Sequence, residues 1–173
     1  MRLHIKTSSN KELVPFDHLP FLVGAFHKWL GANEVHGDLS LYSLSWLKGG
    51  KGSGKGLSFS DGASFFISAH DDEVIKKIIA GLRNSPEFFC GMMVREVSIQ
   101  ATPSFESFKT FAVNSPVLVK KIVDGKHKHL TFEDLESEEI MTKIFKNKLK
   151  KAGLNESDVK VYLTRPIFIQ KSN

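Results

Sequence analysis

The chain has 173 residues, 41% hydrophobic and 25% charged, with a formal net charge of +5. That composition excludes a disordered chain, and no apolar run approaches the roughly 20 residues that span a bilayer. A single cysteine, Cys90, excludes an internal disulfide framework and a multi-cysteine zinc site. No signal-peptide apolar region follows Met1, so the expected location is cytoplasmic. The basic balance favours an acidic partner, nucleic acid first. The excess is uneven: residues 1–100 hold 11 Lys and Arg against 10 Asp and Glu, and residues 101–173 hold 13 against 9.

Residues 1–7 alternate and predict a strand with Leu3 and Ile5 facing inward. A helix follows over 17–30, with Leu22, Ala25, Phe26, Trp29 and Leu30 on one stripe. Asp17 is the expected cap, Pro20 fits the first turn, and Gly31 stops the helix. Period-2 alternation over 39–47 predicts a strand. The glycine-lysine segment 48–56 comes next, and a second strand returns over 57–68, broken at Asp61-Gly62. A second helix is expected over 71–83, with Val74, Ile75, Ile78, Ile79 and Leu82 inward and Asp71 or Asp72 as cap. Residues 88–100 read as a strand. The order β-α-β-β-α-β is the ferredoxin-like unit, with both helices on one face of a four-stranded antiparallel sheet.

Residues 101–104 read as a linker. Residues 108–113 are strand-like, 117–132 form a hairpin turning at Asp124-Gly125, 138–152 form a helix, and 159–169 a final strand. The apolar stripe of that third helix is Ile140, Met141, Ile144, Phe145 and Leu149. The fold class expected is α+β, two ferredoxin-like domains in tandem over 1–101 and 105–173, the second incomplete.

Gly49, Gly54 and Lys55 sit at phosphate-loop offsets, but Gly56 replaces the required Ser or Thr, and a strand rather than a helix follows. Nucleotide hydrolysis is therefore not expected. Two readings remain: a plain hairpin tip, or a cationic finger that carries Lys48, Lys51 and Lys55 to phosphates. Cys90 lies among Phe88, Phe89, Met92 and Met93 and reads as a buried inert thiol. His4 and His70 lie at element edges, and His127 and His129 share one strand face without a third metal ligand nearby. His27 lies off the apolar stripe of its helix, and His36 lies in the next loop. Two such imidazoles are a candidate acid–base pair. No carboxylates have two-metal spacing, so neither a metal nor a cofactor is expected.

Several phrases resemble a known family. One set is Met1-Arg2-Leu3-His4-Ile5, Val14-Pro15-Phe16 before the first helix, and a loop histidine ahead of Leu41-Tyr42-Ser43-Leu44. The other is the run Phe111 to Val119 containing Asn114-Ser115-Pro116, with a return strand from Lys126 to Thr131. Together they resemble the sixth Cas protein family, the CRISPR repeat-RNA endoribonucleases of the RAMP superfamily. The resemblance implies tandem ferredoxin-like domains and metal-independent cleavage of CRISPR repeat RNA. In that chemistry the 2′-hydroxyl attacks the adjacent phosphate and leaves 2′,3′-cyclic phosphate and 5′-hydroxyl ends. It implies catalytic roles for His36 and His27 as acid and base, with Lys48 or Lys51 in place of a lysine that has no clean match. Members of that family continue past the equivalent of 159–169 with a hairpin and a glycine-rich loop. This sequence ends at Asn173, which suggests an exposed sheet edge and hence a homodimer or another CRISPR effector subunit as partner. A non-catalytic subunit that holds CRISPR RNA is the competing reading. RNA contacts are expected from Lys51, Lys55, Lys120, Lys121, Lys126, Lys128, Lys143, Lys146 and Lys150. Arginine is scarce, so bidentate guanine readout is not the expected source of specificity.

Overall fold

The computed structural model describes residues 1–31, 40–102, 119–131 and 133–164. By backbone contacts the chain divides into two units, Met1–Ser115 and Pro116–Asn173. The change of domain expected after 101 meets residues 103–118, which lie outside the described residues, as does the strand expected over 108–113.

In the first unit the elements run β1 (Arg2–Thr7), α1 (Leu19–Leu30), β2 (Tyr42–Leu44), β3 (Lys51–Ser53), β4 (Gly56–Ser58), β5 (Ser64–Ala69), α2 (Asp72–Asn84) and β6 (Val94–Gln100). Strands β2, β5, β1 and β6 form one antiparallel sheet in that order. This is the ferredoxin-like βαββαβ arrangement, with the hairpin β3–β4 inserted between its second and third strands. Alternation decides the two faces. Leu3 and Ile5 on β1, and Phe65 and Ile67 on β5, are buried with Leu22, Phe26 and Trp29 of α1 and Ile75 and Ile78 of α2. Arg2, His4 and Lys6, with Ser64, Phe66 and Ser68, therefore line the opposite, open face.

Both helices form where their apolar stripes predict. At their crossing, a Cβ on Gly81 of α2 would lie 2.0 Å from the Trp29 carbonyl oxygen of α1, so only glycine permits the approach. Asp71 caps α2, accepting a 2.9 Å hydrogen bond from the Glu73 amide. Asp17 does not cap α1, contrary to expectation. The residue before the helix is His18, and its ring is turned inward instead. Gly31 ends the helix with φ 71°, as expected.

Two strands are shorter than predicted. Among the described residues of the 39–47 stretch only Tyr42–Leu44 pairs regularly, because buried Ser45 interrupts the ladder: its Oγ accepts the Phe66 amide at 2.8 Å. Pairing resumes at Lys48 opposite Ser64. The 88–100 stretch starts as strand only at Val94, after a 3₁₀ turn at Phe89–Gly91 in which Cys90 has φ 55°. The Cys90 carbonyl accepts the Lys11 amide at 2.9 Å, so this turn holds the segment leading into α1. The thiol is half-buried rather than fully buried, and burial pushes its pKa up, away from the reactive thiolate.

The second unit contains β7 (Val119–Val123), β8 (Lys126–Leu130) and α3 (Ser137–Lys151) among its described residues. Asp124 and Gly125 make the two-residue turn with φ 51° and 75°, the doubly left-handed geometry that matches strand twist. The stripe of α3 is incompletely covered: Phe145 stays 46% exposed. Residues 159–164, the described part of the predicted last strand, form no strand. Their alternate amides are taken by side chains of α3 instead. Val161 donates to Thr142 Oγ1 at 3.0 Å and Leu163 to Glu138 Oε1 at 2.8 Å.

Candidate nucleic-acid interface

His36, the first of the expected catalytic residues, lies outside the described residues. His27 sits in the last turn of α1, in the helix layer. Its ring is half-buried rather than accessible, edge-on to Phe26 with centroids 5.2 Å apart, and Phe26 stacks on Tyr42 at 4.4 Å. Lys48 lies across the sheet, with Nζ 6.0 Å from the Phe66 ring centroid on the open face. The sheet therefore separates His27 from Lys48, and the two do not converge on one phosphate.

The glycine-lysine segment is a β-hairpin. It is tied to the loop before α1 by paired hydrogen bonds between Val14 and Leu57, at 3.0 and 2.7 Å. Strand β4 follows Lys55, so no helix N-terminus is present to receive a phosphate. Lys51 and Lys55 are exposed along this hairpin.

The seven lysines of the second unit expected to contact RNA divide into two sets. Lys121 is ion-paired with Glu136. Lys128 lies 3.5 Å from Asp134 Oδ1, and Lys146 donates to the Ser157 carbonyl at 3.0 Å. These three brace the hairpin and the helix. Lys120, Lys126, Lys143 and Lys150 are exposed and make no ion pair among the described residues. Asp134 accepts the Thr131 amide at 2.7 Å and its hydroxyl at 3.0 Å, and these bonds hold its carboxyl below the usual aspartate range.

Two groups escape the sequence reading. His18 is 3% exposed; its Nδ1 faces the carbonyls of Phe16 at 3.1 Å and Pro15 at 3.3 Å. Its Nε2 accepts the Leu47 amide at 3.4 Å, so the ring is the neutral tautomer with hydrogen on Nδ1. It is a structural clamp between the start of α1 and the segment after β2. The second group is the open sheet face, where Arg2, His4 and Lys48 gather around Phe66. Alternation in 1–7 and 64–69 assigns each side chain to a face. Their meeting depends on the β1–β5 register, which no local pattern carries.

Among the described residues, no three His, Cys, Asp or Glu side chains gather at metal-ligating spacing, and no helix is long and apolar enough to cross a membrane. No family model matches the sequence, and no curated protein matches it with significance. Solved structures do match. A Cas6-related protein from Pyrococcus furiosus is 23% identical, with a TM-score of 0.76 over 88% of this chain and 71% of that one. A RAMP protein described as binding different RNA substrates is 20% identical, with a TM-score of 0.75 over 87% and 71%. A CRISPR-associated protein Cas6 is 20% identical, with a TM-score of 0.73 over 92% and 74%. What these structures share with this chain is the fold, and the chain has the ferredoxin-like α+β architecture of Cas6 and RAMP proteins.

Proposed function

We propose that this chain binds CRISPR repeat RNA and cleaves it without a metal, through two ferredoxin-like domains over 1–101 and 105–173. The observation that supports the reading is the fold-level match to Cas6 structures, at TM-scores of 0.76 and 0.73, in a chain of net charge +5. In the proposed reaction one of His36 and His27 takes the proton of the 2′-hydroxyl, whose oxygen then bonds to the adjacent phosphorus. The bond to the 5′-oxygen breaks, and the other imidazole protonates that leaving oxygen. The products are a 2′,3′-cyclic phosphate and a 5′-hydroxyl. The cation that would offset the phosphorane charge is not Lys48, which stands across the sheet from His27; we assign Lys48 to RNA binding. Lys51, Lys55, Lys120, Lys126, Lys143 and Lys150 are the further phosphate contacts. Lys121, Lys128 and Lys146 support them as braces.

The non-catalytic reading, a subunit that holds CRISPR RNA, is favoured by one observation: the half-buried placement of His27 against Phe26. A single-turnover assay on the repeat RNA of the source organism, in EDTA, separates the two. The nuclease reading expects cyclic-phosphate product and a loss of at least about 100-fold in His36→Ala, the scale of one acid–base group. Binding without cleavage supports the holding subunit. Cleavage that requires a divalent cation contradicts the proposed chemistry.

A further inference from the structure

The open face of the four-stranded sheet has a composition that packing does not require. Phe66 lies at the centre of that face, on β5, directly opposite His4 of β1. The Arg2 guanidinium carbon stands 4.2 Å from the Phe66 ring centroid, within stacking range. Arg2 Nε is oriented by a 2.9 Å hydrogen bond to Ser68 Oγ, a neutral partner. The imidazole of His4 meets the same ring at 5.9 Å, and its Nε2 lies 2.9 Å from Gln100 Oε1. Small side chains surround this group. Ser64 and Ser68 flank Phe66 along β5, Ser43 pairs with Ser68, and Ser98 pairs with His4. The Arg2 guanidinium over the Phe66 ring thus rises from a floor of serines.

The charges on this face are uneven in a useful way. Glu96 is present, but Lys6 holds it at 2.9 Å. Arg2 and Lys48 pair with no carboxylate among the described residues, and both are exposed. The face therefore presents two uncompensated cations beside one plane. Unpaired bases stack on aromatic rings and guanidinium planes, while their phosphates take lysine contacts; bases inside a duplex have no free face to offer. A protein partner would find little apolar area here, because the floor is hydroxyl.

We propose that this face is a stacking platform for an unpaired base of single-stranded RNA, with the Arg2–Phe66 stack as the plane and Lys48 as a phosphate contact. The proposal rests on the RNA-binding reading above and adds which RNA form this sheet takes. The test is fluorescence anisotropy of the full chain with a labelled single-stranded oligouridylate and with an RNA duplex, over a range of salt. Phe66→Ala and Phe66→Leu are expected to weaken single-strand binding about 10-fold, the scale of one lost base stack, without changing the salt slope. Phe66→Tyr keeps the plane and is expected to bind as the parent does. Arg2→Lys keeps the charge, loses the plane, and is expected to fail as Arg2→Ala does. Lys48→Ala is expected to reduce the slope of log affinity against log salt by about 0.7, one single-strand phosphate contact. If the parent binds RNA and Phe66→Leu binds the single strand equally well, the platform is overturned and the RNA-binding reading stands. An equal loss on duplex also overturns it. If the parent binds no RNA, the RNA-binding reading itself fails and the platform with it.

Discussion

The first unit packs its helices on one face of its sheet and leaves Arg2 and Lys48, which pair with no carboxylate among the described residues, on the other; the second carries paired and unpaired lysines on one hairpin. In Met1–Ser115 the stacked rings of Trp29, Phe65 and Phe88 lie under the helices. Arg2 and Lys48 lie on the other face and brace nothing charged. In Pro116–Asn173, Lys121 and Lys128 hold the hairpin to Glu136 and Asp134, ahead of α3. A lysine count therefore overstates a binding surface. The second unit carries more of the net charge, yet on its hairpin, as at Lys6 of the first unit, part of it is held by carboxylates.

The largest effect should come from removing a ring from the first core. Trp29 is 2% exposed, and its Nε1 donates to the Ser85 carbonyl at 2.9 Å. Trp29→Ala is expected to cost about 4 kcal/mol in urea unfolding, while Phe145→Ala in α3 should cost less than about 1 kcal/mol. Equal costs would break the contrast between the units. Next comes Gly81→Ala, expected to cost about 2 kcal/mol because the added methyl meets the backbone of Trp29. A neutral result would mean that the two helices can separate freely.

Smaller effects sharpen the division among the lysines. Lys120→Ala should weaken RNA binding and lower the salt slope, with no measurable change in stability. Lys121→Ala should instead destabilise the hairpin by less than about 1 kcal/mol, since its ion pair is partly exposed. The reverse assignment would contradict the idea that Lys121 is a brace. The smallest effect concerns Asp134. Folding lowers its pKa, so its contribution is complete above the ordinary aspartate value and is lost as pH falls through the folded value. Asp134→Asn should flatten that acid-side decline in a thermal-melt series against pH, and an unchanged decline would assign it to other carboxylates.

Much of the first fold was legible because amphipathic periods are local. The stripes of α1 and α2, and the alternation in β1 and β5, place the core side chains without tertiary knowledge. Asp17 fails as a cap for a tertiary reason: the buried ring of His18, tied to Leu47, sets where α1 begins. Residues 159–164 read as strand by composition, but the Thr142 and Glu138 side chains take their amides. The candidate interface was legible as lysines and not as geometry. Which lysines already face a carboxylate, and that Arg2 meets Phe66, depend on register and packing between distant segments.

The proposed function turns on recognition of CRISPR repeat RNA. Equilibrium binding of the source organism's repeat RNA, set against a shuffled RNA of the same composition and measured across salt concentrations, tests it most directly. Tighter binding of the repeat is expected, with an affinity that falls steeply as salt rises. Equal binding of both RNAs, or an affinity indifferent to salt, would contradict it.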